Sequence, residues 1–138
     1  MTISAHFSGT YVNGIDAKHR LSVPSSLRDT IETRSANKAV VLAPSEYADC
    51  LVGYDLTQYD RIRARLEEQF AGDFGPGRSR KARSLFALAV ELKYDDTGRI
   101  ILTQSLMENG GLSKHAVFLG AGDYFEIWHP ETLFAQPD

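Results

Sequence analysis

The chain contains one stretch of itself twice. "DAKHRLSVPSSLRD" (16–29) and "DDTGRIILTQSLME" (95–108) align at a constant offset of 79 residues. Asp16 falls on Asp95, Arg20 on Arg99, Leu21 on Ile100, Val23 on Leu102, Ser26 on Ser105, Leu27 on Leu106 and Asp29 on Glu108. The same offset sets Phe7 on Phe86. Further on, "KAVVLAP" (38–44) resembles "KHAVFLGAG" (114–122) after a small indel, and "YADCLVGYD" (47–55) resembles "YFEIWHPE" (124–131). Each match is weak, but their shared order makes a duplicated unit. A duplication constrains the fold strongly, because one structural solution must serve both copies.

Each copy reads as β-β-α-β-β. An extended segment, "FSGTYVNGI" (7–15) or "FALAVELKY" (86–94), leads into the D-x-x-x-R turn and then a second strand, "RLSVP" (20–24) or "RIILT" (99–103). Alternation at Leu21, Ser22 and Val23 has the period of a half-buried strand. A short helix follows. Pro24 suits its start, where the missing donor costs nothing; Ser25 or Ser26 is the expected cap, with Thr103 as counterpart. Two strands close each unit, at 39–43 with 50–54 and at 116–120 with 124–128. The longest helical segment, 54–70, lies between the copies. Asp55 and Gln58 form a candidate capping box there, and Tyr59, Ile62, Leu66 and Phe70 make one apolar stripe. "AGDFGPG" (71–77) breaks that helix, and "RSRKARSLF" (78–86) is a basic helical turn. The expected class is α+β: two tandem units forming a small β-barrel-like core, at 1–54 and 86–138, joined by a helical linker at 55–85.

Length and composition suit one folded domain with a real core. No run of about 18 apolar residues exists to span a bilayer, and the N-terminal sequence lacks the basic and apolar regions of a secretory leader. The single cysteine, Cys50, excludes an internal disulfide and fits a reducing cytoplasm. Net charge is −3, but it is unevenly spread: residues 1–83 hold 12 Lys/Arg against 10 Asp/Glu, and residues 84–138 hold 3 against 8.

Taken together, "F-x-G-x-Y…I-D-A-K-x-R-L-S-V-P-x-x-L-R", a helical linker and "D-x-x-G-R-I-x-L" resemble the MraZ family of bacterial transcriptional regulators. The resemblance runs from about Phe7 to Pro130. It rests on two D-x-x-x-R motifs with matched flanks, since one such motif alone carries no information. It implies two AbrB-like (swapped-hairpin) units with interleaved strands, and self-association into a ring-like homo-oligomer. It also implies binding of double-stranded DNA at short repeated sites upstream of a division and cell-wall operon, in the cytoplasm and at the nucleoid. The family's binding surface includes the first D-x-x-x-R loop, which here supplies Asp16, Lys18 and Arg20. The family's usual glycine before the arginine is His19 in the first copy and Gly98 in the second.

The chemistry of the motif agrees. Arginine presents a planar fork of donors suited to phosphate oxygens or to guanine edges, and a carboxylate four residues earlier can orient that fork. The plainer alternative is that Asp16 and Arg20 only staple a hairpin, as exposed ion pairs commonly do. The copies differ in charge. The first loop holds one acid, Lys18, Arg20 and a histidine; the second, Asp95 to Arg99, holds two acids and one base. DNA phosphates should therefore favour the first loop, with Asp16, Lys18, His19 and Arg20 as its contacts. Asp95 and Arg99 then serve mainly folding and subunit contacts. Seven linker bases, Arg61, Arg63, Arg65, Arg78, Arg80, Lys81 and Arg83, are read first as a solvated face, next as partners of a neighbouring subunit, and last as a phosphate contact.

Enzyme readings lack support. The four histidines show no metal spacing with one another or with cysteine, and no metal or other cofactor is implied. Cys50 lies in an apolar run and reads as a buried small hydrophobe. Neither "GGLSKH" nor "GDFGPG" has phosphate-loop spacing. A structural or protein-binding oligomer, with D-x-x-x-R loops that only stabilise hairpins, is the rival from another class. A one-unit antitoxin-like relative fits poorly, because the second unit fills the C-terminal part of the chain.

Overall fold

The computed structural model describes residues 5–137. The first copy supplies β1 (Thr10–Gly14), β2 (Arg20–Ser22), α1 (Ser25–Ser35), β3 (Ala39–Pro44) and β4 (Leu51–Tyr54). Two helices follow, α2 (Leu56–Gln69) and α3 (Pro76–Phe86). The second copy repeats the order with β5 (Val90–Lys93), β6 (Arg99–Ile101), α4 (Gln104–Asn109), β7 (His115–Gly120) and β8 (Phe125–Trp128), and α5 (Pro130–Phe134) ends it. The α+β, twice-repeated architecture is the one the sequence implies.

The strands interleave. One six-stranded antiparallel sheet runs β1-β7-β8-β4-β3-β5, and a separate two-stranded ribbon joins β2 to β6. Thus β1 of the first copy bonds to β7 of the second, while β5 of the second bonds to β3 of the first. In the ribbon Leu21 lies opposite Ile100, its own counterpart in the repeat. In the sheet Val52 lies opposite Glu126 at the β4–β8 junction. Both crossings sit on one pseudo-two-fold axis that exchanges the copies. Among the described residues β1 and β5 are not bonded to each other, so the sheet-rich core is open and forms no closed barrel.

The ribbon and the repeat helices cover one face of that sheet. Leu21, Val23, Leu27 and Ile31 meet Ile100, Leu102 and Leu106 over Val40, Leu42, Leu51, Phe118, Phe125 and Ile127. The apolar pairs Leu21/Ile100, Val23/Leu102 and Leu27/Leu106 are buried in both copies. The opposite face carries a smaller cluster of Cys50, Val117 and Trp128, with Leu133 of α5 packed on it. β3 is buried along both faces, which accounts for its unbroken "AVVL".

Several local expectations change. Phe7 lies in the core, but Phe86 ends α3 and packs edge-on against Tyr59 at 5.6 Å between centroids. The basic helix continues through Phe86, and the strand expected from 86 begins at Val90. Pro24 is the N-cap of α1 with no side-chain cap; Ser26 instead bonds the Tyr11 hydroxyl. Thr103 does cap α4, accepting from the Leu106 N–H at 3.1 Å. Asp55 caps α2 by accepting from Gln58 N–H, but the Gln58 side chain accepts from Arg34 rather than closing a box. β4 and β8 align by their following caps, Asp55 and His129, rather than by Tyr47 and Tyr124.

Candidate nucleic-acid interface

The two D-x-x-x-R turns have one geometry. In the first, Asp16 N–H donates to Arg20 C=O at 3.1 Å and His19 N–H to Asp16 C=O at 3.0 Å. Asp95, Arg99 and Gly98 repeat these bonds at 3.3 and 2.9 Å. The aspartate side chain then threads the turn. Asp16 Oδ1 accepts from the backbone N–H of Lys18 and of Arg20, and Oδ2 accepts from Arg20 Nε at 2.7 Å. Asp95 does the same with Thr97 and Arg99, and also takes the Thr97 hydroxyl at 2.7 Å. These donors favour the ionised carboxylate. The Arg20 N–H and then its guanidinium lower the Asp16 pKa; the Thr97 hydroxyl and then the Arg99 N–H hold Asp95 well below the usual carboxylate range.

His19 resolves the one departure from the glycine pattern. It adopts φ 61°, beside φ 83° at Gly98, so both turns bend alike and His19 occupies the left-handed region. The turns also bond across the axis: Leu102 N–H donates to His19 C=O at 2.9 Å, and Val23 N–H to Gly98 C=O at 2.8 Å. A Cβ at Gly98 would displace the Arg28 side chain, whose Nε donates to Val23 C=O at 3.0 Å.

The ribbon sets where the arginines go. Opposed residues of an antiparallel pair share a face, and alternate residues change face. Arg20 opposes Ile101 and Ser22 opposes Arg99, while Leu21 and Ile100 point into the core. Arg20 and Arg99 therefore emerge on the same outer face as diagonal neighbours, a relation of roughly 7–8 Å. They line one open depression with Lys93, Asp95 and Ile101. Each arginine spends its Nε on its own aspartate; among the described residues its two terminal nitrogens make no hydrogen bond. Lys18 stands exposed at the tip of the first turn. The sequence names Asp16, Lys18, His19, Arg20, Asp95 and Arg99, and all six lie on the two turns of this ribbon. It misses Lys93 and Ile101, which enter only through the cross-copy pairing.

The chain matches the family model described as MraZ protein over residues 6–74 and 85–136. The chain belongs to the MraZ family. Curated relatives named transcriptional regulator MraZ include those of Rickettsia felis and Rickettsia rickettsii, each 35% identical over 92% of this chain and 83% of the relative. That of Rickettsia akari is 34% identical over the same span. The two matched stretches correspond to the two copies of the repeat, so the MraZ pattern and the pseudo-symmetry describe the same duplication.

The linker bases divide. Arg78 donates to Phe70 C=O and lies 4.8 Å over the Phe74 ring. Lys81 bonds Glu46 at 3.0 Å, which raises its pKa. Arg63 is 3.7 Å from Asp60. Arg61, Arg65, Arg80 and Arg83 are exposed. Among the described residues there is no cluster of three metal-ligating side chains, and no helix is long and apolar enough to cross a membrane. Burial and the nearby Glu126 carboxylate push the Cys50 thiol up to about 12, consistent with a packed rather than reactive sulfur.

Proposed function

We propose that this chain is a sequence-specific DNA-binding regulator of transcription whose principal contact is the first D-x-x-x-R turn. Arg20 reads or anchors DNA, Asp16 orients it, and Lys18 and His19 flank it. Arg99 and Asp95 occupy the same face as a weaker second contact. The observation that carries this reading is the bonding of Asp16: it fixes Arg20 through Nε and both turn N–H groups, and leaves the terminal guanidinium nitrogens for a partner outside the chain. The relatives' name, transcriptional regulator MraZ, supports the same reading.

A face with four or so basic side chains gives weak binding on its own, because specific DNA interfaces bury on the order of 1,000 Å². Copies of the chain associated in a ring present the turn repeatedly, and repeated DNA sites then bind by effective concentration. The site fitting this scheme lies upstream of the division and cell-wall operon, and the protein works in the cytoplasm at the nucleoid, by binding and without catalysis. Units 1–54 and 86–138, joined by 55–85, form the protomer.

A titration of the chain's own upstream DNA at fixed salt, with mass measured in solution, tests this. Arg20→Ala weakens binding at least tenfold, and Arg99→Ala weakens it less. Equal loss from both overturns the primacy of the first turn. In the rival reading both ion pairs are staples, and Arg20→Ala then lowers thermal stability while the wild type binds DNA no better than the variant.

A further inference from the structure

We propose that Lys114, from the acidic second copy, is a phosphate contact beside the first turn, so that the DNA surface is built from both halves of the chain. This rests on the DNA-binding reading above and goes beyond the residues that the motif supplies.

The pseudo-two-fold axis gives the argument its control. Ile15 N–H donates to Lys114 C=O at 2.8 Å, and Tyr94 N–H donates to Lys38 C=O at 3.3 Å. Ile15 and Tyr94 immediately precede the two aspartates, so Lys114 and Lys38 are equivalent lysines, each laid against the turn of the other copy. Among the differences in their surroundings, one decides whether the lysine is paired. In the second turn Asp96 Oδ1 lies 3.5 Å from Lys38 Nζ. In the first turn the residue equivalent to Asp96 is Ala17, and among the described residues Lys114 makes no ion pair.

Lys114 lines one open depression with Asp16, Ala17, His19, Ser113 and His115. Asp16 is the sole acid in it, and its two oxygens already hold the turn N–H groups and the Arg20 guanidinium. Around the first turn Lys18, Arg20 and Lys114 face one committed acid. Around the second, Asp96 pairs with Lys38 and Asp95 with Arg99, and Arg28 lies against Gly98, so the excess of positive charge is smaller and its lysine is already engaged. Phosphate affinity follows this local excess of positive charge. The acidic balance of the second copy hides the contribution, because its lysine is displayed beside the other copy's turn.

The test uses the full chain, a duplex carrying the upstream repeats, and a scrambled duplex of equal length, each titrated between 50 and 200 mM salt. Lys114→Ala weakens both duplexes to a similar degree, as a phosphate contact does. Its loss of affinity across that salt range is about threefold smaller than the wild type's for each chain engaged, one contact fewer on the salt slope. Lys114→Arg restores binding, Lys38→Ala leaves it unchanged, and Ala17→Asp reproduces the Lys114→Ala defect by supplying the missing acid. Thermal unfolding checks that each variant is folded. If Arg20→Ala abolishes binding while Lys114→Ala and Lys38→Ala behave alike, the role of Lys114 is overturned and the DNA reading stands. If Arg20→Ala also changes nothing, the DNA reading falls and takes this inference with it.

Discussion

His19 and Gly98 occupy the same place in two copies of one turn, and they tolerate change differently. The left-handed conformation costs a non-glycine residue on the order of 1–2 kcal/mol, and His19 bears that cost at φ 61°. His19→Gly is therefore expected to raise stability by up to ~1 kcal/mol, glycine's extra freedom in the unfolded chain offsetting the rest. Gly98→Ala meets the conformational penalty and makes the Arg28 side chain swing aside, and is expected to cost about 1–2 kcal/mol. Urea midpoints of the two variants check the asymmetry. Position 28 shows why one copy escapes the clash: its equivalent beside His19 is Met107, which lines the open depression with it. The two aspartates set an acid-side dependence at the same scale. Their folded pKa values are lowered, so their contribution is present above the unfolded value near 3.8 and is lost as pH falls through the folded ones. Stability should drop below about pH 4, and Asp95→Asn should flatten that drop more than Asp16→Asn in urea titrations at pH 5 and pH 3. The exceptional residue was visible in the sequence by alignment of the copies. Its conformation was not, because a histidine leaves open whether the turn or the residue gives way.

At the scale of elements, the strands and short helices of the repeat were legible because their apolar periods recur at fixed offset. The joints between elements were not. Arg34, at the end of α1, donates from Nε to Asp55 at 2.8 Å, from Nη2 to Gln58 at 3.1 Å, and from Nη1 to Ala5 C=O at 2.8 Å. It also lies 5.6 Å from the Phe7 ring centroid. The Arg34 side chain is 9% exposed and that of Asp55 is fully buried. One guanidinium thus ties α1, the N-cap of α2 and the N-terminal segment together, across residues too distant in sequence for any local pattern to pair them. Asp55 reads locally as a cap, and it serves as a cap and a buried counter-ion at once. Removing one partner of a buried pair strands the other charge. Arg34→Ala and Asp55→Ala are each expected to cost about 3–5 kcal/mol in chemical denaturation, whereas Arg63→Ala, which breaks the exposed pair with Asp60, costs about 0.5 kcal/mol or less. A repeat alignment finds what the copies share; at the offset of 79 Arg34 falls on Ser113, beyond the end of α4, and Asp55 has the cap His129 as its counterpart, so the hub carries no repeat signal.

At the scale of the whole molecule, interleaving ties each copy's folding to the other. Among the described residues the β3–β4 and β7–β8 hairpins are the only named strand pairings internal to a copy; β1, β2, β5 and β6 find their strand partners in the opposite half, and β4 meets β8 at the axis. A fragment of residues 1–54 keeps one hairpin and α1 but loses the partners of β1 and β2 and the second neighbours of β3 and β4. A two-stranded hairpin alone is marginal in water, so the fragment has no stable monomeric fold. The pseudo-two-fold axis offers it one escape: a second copy of the same fragment can take the place of residues 86–138. The expected result is an unfolded chain at low concentration and a dimer at high concentration, read by sedimentation and circular dichroism. Cys50 reports the same equilibrium. In the intact protein it is 1% exposed with its thiol pushed up to about 12, so a thiol reagent reacts with it only on opening of the sheet. In the fragment it should react within the mixing time at low concentration and become protected as the fragment dimerises. A folded, thiol-protected monomer of 1–54 would show that the first copy encloses its own core, and that the exchange of strands between copies is not what holds the protomer together.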